Sequence, residues 1–290
     1  MTTRTVHHAS IHDLVLPGIL LLGLTGFCLS QLGILAIPTA PGIAPETLTI
    51  AARTYSYRLP GDFQKDGNTV NGLMQTIEGP ATEVMRFQVS VADYQQCVAD
   101  GACEKPAPAF RAARADVPVT GVSYSDALDY AEWLSARTGD IWRLPTIAEW
   151  FFIAGDRAVD HGLEVDTGST DPAQRWLARY EQETRQANPG DGRPQKLGSF
   201  GANDLGVMDI GGNVWEWTET CFTRVTLAND DTITRQAESC GVRYVEGRHI
   251  SAMSVFVRDA RGGGCSAGAP PDNLGFRLIR EQGFWLRWPF

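Results

Sequence analysis

Histidine is scarce. The 290-residue chain holds five, His7, His8, His12, His161 and His249, and the first three precede a long apolar segment. Two imidazoles are left for a folded domain, whereas most catalytic zinc, non-haem iron and copper centres take two or three, so the count argues against a histidine-built metalloenzyme. Clustered basic charge is also missing: 25 Lys+Arg against 34 Asp+Glu leave a net charge of −9, with no lysine or arginine run. Nucleic-acid binding rests on neutralising phosphates with such clusters, so that partner class is set aside. There is no Cys-x-x-Cys spacing, no internal repeat and no low-complexity tract. What is present is ordinary globular material, 43% hydrophobic, enough for one core in a domain of about 250 residues with a short appendage. Thirty glycines, 16 prolines and eight tryptophans point to a loop-rich, aromatic-packed domain rather than a helix bundle.

Behind a short tail, residues 1–13, the segment from Leu14 to Ile37 carries no charge and ends at Pro38-Thr39-Ala40-Pro41-Gly42. It is long enough to span a bilayer. Pro17, Gly18, Gly23, Gly26 and Gly33 would destabilise a soluble core helix there. The expectation is a signal anchor or signal peptide, with the bulk of the chain periplasmic or otherwise extracytoplasmic and membrane contact through residues 14–37 if they stay uncleaved. Cysteine usage agrees with export. Cys28 lies in the apolar segment, leaving Cys97, Cys103, Cys221, Cys240 and Cys265. Cys97 and Cys103 flank a glycine turn that a disulfide can close, and this bridge is expected. Two of the remaining three are expected to pair, in an order the spacing leaves open, and a soft-metal thiolate site is the alternative.

Residues 38–79 read as a linker and edge strands, and 80–290 as the main domain. Three helices start on one signal, Ser90-Val-Ala-Asp93, Ser123-Tyr-Ser-Asp126 and Thr146-Ile-Ala-Glu149, each a hydroxyl N-cap with a carboxylate three residues on. The first is expected to reach about Val98, with Gly101 just past its end, and the second to run from Tyr124 to Arg137, stopped by Gly139. The second shows Ala127, Tyr130, Ala131 and Leu134 on one face; the third, Ile147–Ala154, buries Trp150 and Ile153. A polar helical segment follows around Ala173–Gln186, and beyond Asn188 short strands and turns dominate.

The most specific block is NDLGVMDIGGNVWEW, residues 203–217. In it Trp215 and Trp217 share one strand face and Glu216 the other, behind a turn holding Asp209 and Gly212. Two carboxylates and glycine-freed carbonyls can converge on a hard cation such as calcium; the alternative is a turn aspartate and an exposed strand glutamate. His249, near Arg248, Arg258, Asp259 and Arg261, is the candidate acid/base, or else a hydrogen-bonded polar residue. Gly264-Cys-Ser-Ala-Gly268 matches the hydrolase elbow pattern, but a turn, Ala-Pro-Pro-Asp, follows where a helix is required, so Ser266 is not expected to be a nucleophile.

In order along the chain, PVTGVSYSDALDYAEWLSARTG, RLPTIAEW, NDLGVMDIGGNVWEW and NLGFR resemble the formylglycine-generating enzyme family, the sulfatase-modifying factor domain, over roughly residues 80–280. The resemblance implies an irregular, loop-rich α+β fold related to the C-type-lectin-like core. It implies a structural calcium site at Asp209, Glu216 and the carbonyls of Gly212 and Val214, and a second at Asn188 and Asp191. Family enzymes oxidise a substrate cysteine at copper held by two cysteines upstream of the terminal motif. Here that segment reads VEGRHISAMSVFVRDARGG, without cysteine. Ser251, Met253 and Ser254 cannot replace a thiolate pair that binds and cycles Cu(I), so neither copper nor formylglycine synthesis is expected. The family's opening Phe-x-Met-Gly is replaced by TYSYRLPGDF. The stretch EGRHISAMSVFVRDARGGGCSAGAPPDNLGFRL and the TETCF and ESC cysteines are similar to the branch associated with copper nitrite reductase. That implies an exported, non-catalytic accessory or maturation factor for such an enzyme. The alternative is an enzyme of changed chemistry built on His249, Arg248 and Arg258 with a free cysteine as nucleophile.

Overall fold

The computed structural model describes residues 44–108, 114–163, 171–186, 193–260 and 273–281. The expected anchor at 14–37, the second calcium pair Asn188 and Asp191, and Arg261, Cys265 and Ser266 lie outside the described residues. Among those described, no helix is long and apolar enough to cross a membrane.

The body is α+β, as expected. Strands β1 (Thr47–Ile50), β2 (Arg53–Arg58), β3 (Asp62–Lys65), β4 (Asn68–Val70), β5 (Met74–Gly79) and β6 (Thr82–Met85) precede helices α1 (Val91–Ala99) and α2 (Tyr124–Thr138). Then come β7 (Ile141–Arg143), α3 (Ile147–Ala154), α4 (Pro172–Gln186), β8 (Trp215–Leu227), β9 (Ile233–Glu246), β10 (Ser251–Ser254), β11 (Leu274–Gly275) and β12 (Ile279–Glu281). The helix starts follow the expected chemistry. Ser90, Ser123 and Thr146 each accept from the backbone three residues on, and Asp93, Asp126 and Glu149 reach back to close a capping box. Each cap contributes about 1 kcal/mol. Helix α2 ends where Gly139 turns left-handed, at φ 79°.

One sheet has the order β1-β6-β12-β7, a second β10-β9-β8-β3-β4 with β11 alongside β8, and β2 pairs with β5. Residues 44–79 are therefore not a linker. Strands β1 and β4 do lie at sheet edges, but β3 is interior and runs parallel to β8, matching Phe63 to Val225. Phe63, Val225 and Leu227 close a small core there. The boundary expected at residue 80 falls at Ala44, the start of the compact unit that runs to Phe290. Short alternating runs gave no hint of pairing with strands more than a hundred residues away. Nor are the late strands all short: β8 and β9 have 13 and 14 residues. The outer half of β9 is exposed on both faces, so no apolar alternation marks it, whereas β8 turns Val225 and Leu227 inward between exposed Arg224 and Thr226.

Cys97–Cys103 is bridged as expected, and Cys221–Cys240 joins β8 to β9. The main core packs α1 and α2 against Trp215, Trp217 and Phe276, while a second gathers α3 with Ile50, Val84, Ile210 and Tyr244.

Candidate functional site

Two motifs far apart in sequence meet because β11 lies parallel to β8, with Leu274 beside Trp215 and Gly275 beside Glu216. Only glycine fits at 275, since a Cβ there would stand 2.8 Å from Val214 Cγ2 and 2.9 Å from the Val119 carbonyl. Two residues on, Arg277 turns inward. Its Nε donates to Glu216 Oε2 at 2.6 Å and its Nη2 to Oε1 at 2.7 Å, both side chains fully buried. Gln88 Nε2 donates to Oε1 at 2.8 Å and Trp150 Nε1 to Oε2 at 3.2 Å. Glu216 is thus neither exposed nor open to a cation. Asp209, in left-handed backbone at φ 59°, accepts from the amides of Gly198 at 2.5 Å and Phe200 at 2.8 Å.

These residues do not fit calcium. All four carboxylate oxygens of Asp209 and Glu216 face N–H donors, and an ion at Glu216 would displace a guanidinium that is itself buried. Gly212 is explained by packing, because a Cβ would stand 2.9 Å from the Phe200 ring, and Val214 lies in the core.

Of the residues expected to act together near His249, Arg258 is committed elsewhere and Arg248 shares the Trp215 ring with His249. Arg258 grips Asp126 at the start of α2, Nε to Oδ2 at 2.6 Å, and Glu104 at 2.8 Å. It serves the helix start. Arg248 lies over the Trp215 ring at 5.6 Å. His249 is buried, packs edge-on against Trp215 at 5.2 Å, and lines a cavity of about 710 Å³.

That cavity is a well-developed concave feature among the described residues. One wall is built by strand alternation. Val242 and Tyr244 of β9 pair across the ladder with Ser254 and Ala252 of β10, and all four line it. Met253, between them, points into the core on the opposite face. The other wall comes from the β2–β5 region and from His161. A clamp positions His161: Arg58 donates from Nε and Nη2 to Asp160 at 2.6 and 2.8 Å, and Asn71 exchanges hydrogen bonds with the Leu163 backbone at 3.0 and 3.1 Å. Glu246, on the same β9 face as Tyr244, lies with Oε1 2.5 Å from His161 Nε2. It is fully buried, and its Oε2 has no hydrogen-bond partner. Burial pushes the Glu246 carboxyl above the usual range; the nearby Glu216 charge adds to this and His161 opposes it. Burial likewise pushes the Tyr244 hydroxyl up to about 12, so it stays neutral.

Both imidazoles of the domain thus line one cavity. Sequence reasoning found His249 and missed His161 and Glu246; the available signal was a lone carboxylate inside the apolar run Tyr244-Val245-Glu246-Gly247. Among the described residues the cavity lining does not fit a copper thiolate site: it holds no cysteine, and the Ser251 hydroxyl donates to Met253 Sδ at 3.9 Å. Ligand atoms of Cys221, Glu238 and Cys240 do cluster within 4.8 Å, but both sulfurs belong to the disulfide and offer no thiolate. That bridge also removes Cys221 and Cys240 as free nucleophiles.

A loop-rich α+β body, locked by a glutamate–arginine tie between its two late motifs and opened by a groove beside β10, defines the architectural class. The chain belongs to the sulfatase-modifying factor enzyme 1-like domain family, whose model matches residues 39–282, strands β1 to β5 included. Over 112 residues it is 38% identical to the formylglycine-generating enzyme of Mycobacterium tuberculosis, covering 38% of this chain and 35% of that one. With the formylglycine-generating enzyme of Streptomyces coelicolor it shares 28% over 176 residues, 58% of this chain and 54% of the relative. A mouse relative, described as an inactive C-alpha-formylglycine-generating enzyme 2, is 26% identical over 171 residues, 58% and 50% of the two chains. The chain spans about a third to a half of the length of these curated relatives. In fold it is similar to PvdO from Pseudomonas aeruginosa, with a TM-score of 0.52 and 21% identity over 82% of this chain and 94% of that one.

Proposed function

We propose that this family member is an exported, non-catalytic accessory or maturation factor that receives part of a partner protein in the cavity, the partner being a periplasmic copper nitrite reductase. The observation that carries the loss of catalysis is the cavity lining, which among the described residues includes Ser251 and Ser254 of β10 but no cysteine, while Cys221 and Cys240 are joined to each other. Formylglycine synthesis needs Cu(I) held by thiolates so that a substrate thiolate can join it, and hydroxyls are poor ligands for a soft ion. Two disulfides and the apolar stretch at 14–37 support export. The stretch from Glu246 to Leu278, with its similarity to the nitrite-reductase-associated branch, supports the choice of partner.

The test is capture of the full chain from denitrifying cells, together with the copper content and activity of nitrite reductase in cells lacking it. Co-purification of the reductase, and under-metallated reductase in the deletion, is the expected result. Fully loaded, fully active reductase without the factor would refute the partner assignment. The competing reading, an enzyme of changed chemistry, draws on His249 beside His161 in one cavity. Mass spectrometry after aerobic incubation with a cysteine-containing sulfatase peptide, copper and reductant addresses the family reaction: the peptide is expected unchanged, and repeated conversion to formylglycine would overturn the non-catalytic reading.

A further inference from the structure

Resting on the reading of this cavity as a docking site, we infer that its ligand presents a carboxylate, received by His161 and Arg224, with Glu246 as the positioning residue behind His161. Wall charge carries the first part. Three arginines, Arg58, Arg175 and Arg224, line the cavity against one lining acid, Asp62, in a chain whose net charge is −9. A concave, partly apolar wall concentrates such a local excess and draws in anions. Arg58 is committed to Asp160. Arg224 is held loosely, 3.8 Å from Asp62, with its side chain 74% exposed.

The His161–Glu246 pair carries the second part. A buried carboxylate with one oxygen unpartnered costs free energy unless a proton or cation offsets it, and the imidazole 2.5 Å away is placed to do so. In turn a carboxylate behind an imidazole orients the ring and stabilises its protonated form. The other charged groups around the pair are already answered: Glu216, across the ladder from Glu246, by Arg277, and Asp160, next to His161 in the chain, by Arg58. Of the remaining titratable neighbours, the Tyr244 hydroxyl stays neutral and His249 stands on the cavity wall with His161. When protonated, the ring adds positive charge to a wall whose apolar part, Leu59, Val70, Leu163, Phe222 and Ile250, suits a short aliphatic body. A branched-chain carboxylic acid and an acidic side chain within an apolar peptide share this chemistry.

Calorimetric titration of the full chain in detergent separates the two sources. The probes are isovalerate and the peptide acetyl-Leu-Leu-Glu-Leu-amide, each compared with its uncharged amide, isovaleramide or the Gln peptide. The Glu peptide is expected to bind about tenfold or more tighter than its Gln form, the size of one charge-assisted contact. That result upholds the inference of an acidic partner segment, and discrimination by isovalerate alone would overturn it in favour of a small acid. Affinity is expected to fall as pH rises and the imidazole loses its proton, because the protonated ring holds the anion. Glu246→Gln should move that loss to lower pH, a change that a merely structural role would not produce. Arg224→Glu, at an exposed position, should cut carboxylate affinity about tenfold and leave amide binding unmoved. Equal affinity for carboxylate and amide, or no effect of Arg224→Glu, would overturn the inference. If nitrite reductase is captured but the probes show no such discrimination, the inference falls and the proposed function stands; discrimination without capture has the reverse meaning.

Discussion

Glu216 and Glu246 sit directly opposite one another in the β8–β9 ladder, both fully buried, yet their surroundings differ in kind. Glu216 accepts four hydrogen bonds, from Gln88, Trp150 and twice from Arg277. Glu246 has His161 on one oxygen and no partner on the other. A carboxylate so fully answered is a rivet: it ties the strand of the Trp-Glu-Trp motif to the segment after β11 and has no valence left for a ligand. A carboxylate answered on one side, behind an imidazole on a cavity wall, keeps an unmet demand. Burial alone does not separate structural from functional acids; the number of donors facing each oxygen does.

The largest effect should come from breaking the rivet. Arg277→Ala leaves Glu216 as an uncompensated buried charge, and about 3 to 5 kcal/mol of stability should be lost, measured by denaturant unfolding. Replacing both partners by apolar residues, Glu216→Leu with Arg277→Met, should recover much of that loss. If it does not, the pair contributes more than mutual neutralisation. Next in size is the bridge between the two strands. Replacing Cys221 and Cys240 by serine opens a loop of sequence separation 19 and should cost about 3 kcal/mol in the same assay. A far smaller loss would mean that the outer arms of β8 and β9 are already ordered by their ladder and by the small core of Phe63, Val225 and Leu227.

At Glu246 the expectation is smaller and depends on pH. A carboxyl whose folded pKa is raised binds its proton more tightly folded than unfolded. Its stabilisation is therefore full below the ordinary glutamate value of about 4.3 and is lost as pH rises through the raised value. Glu246→Gln should remove that slope from the curve of stability against pH and cost under about 1.5 kcal/mol near neutrality. A loss as large as that of Arg277→Ala would erase the distinction between the two glutamates. The smallest effect is none at all: a calcium chelator should leave the melting curve unmoved, because Asp209 and Glu216 already hold N–H donors. A clear fall in melting temperature would show that the Arg277 tie gives way to an ion.

Much of the local structure was legible. Ser90, Ser123 and Thr146 announced three helices whose ends fell within a residue of expectation, because a cap acts through atoms three residues away. Cys97 and Cys103 were near enough in sequence to name each other. The reading failed where partners were distant. Residues 38–79 read as a linker and edge strands, with no hint that β3 is interior, because its parallel neighbour is β8, and Arg258 looked like a member of the His249 group because its partner, Asp126, lies 132 residues earlier in the chain. Glu216 looked like a calcium ligand because the motif shows oxygens and hides the guanidinium that answers them.

By itself, then, the sequence determined the family, the helix starts, the first disulfide and the lack of any cysteine between Cys240 and Cys265; each follows from residue identity or from contacts within a few positions. Only the tertiary structure decided which buried carboxylate is answered and which is not, which cysteines close the second bridge, and that His161 and His249 line one cavity with Glu246 behind His161. Those outcomes depend on which side chains strand pairing brings face to face, and the donors and acceptors that decide them come from segments with no local trace of one another.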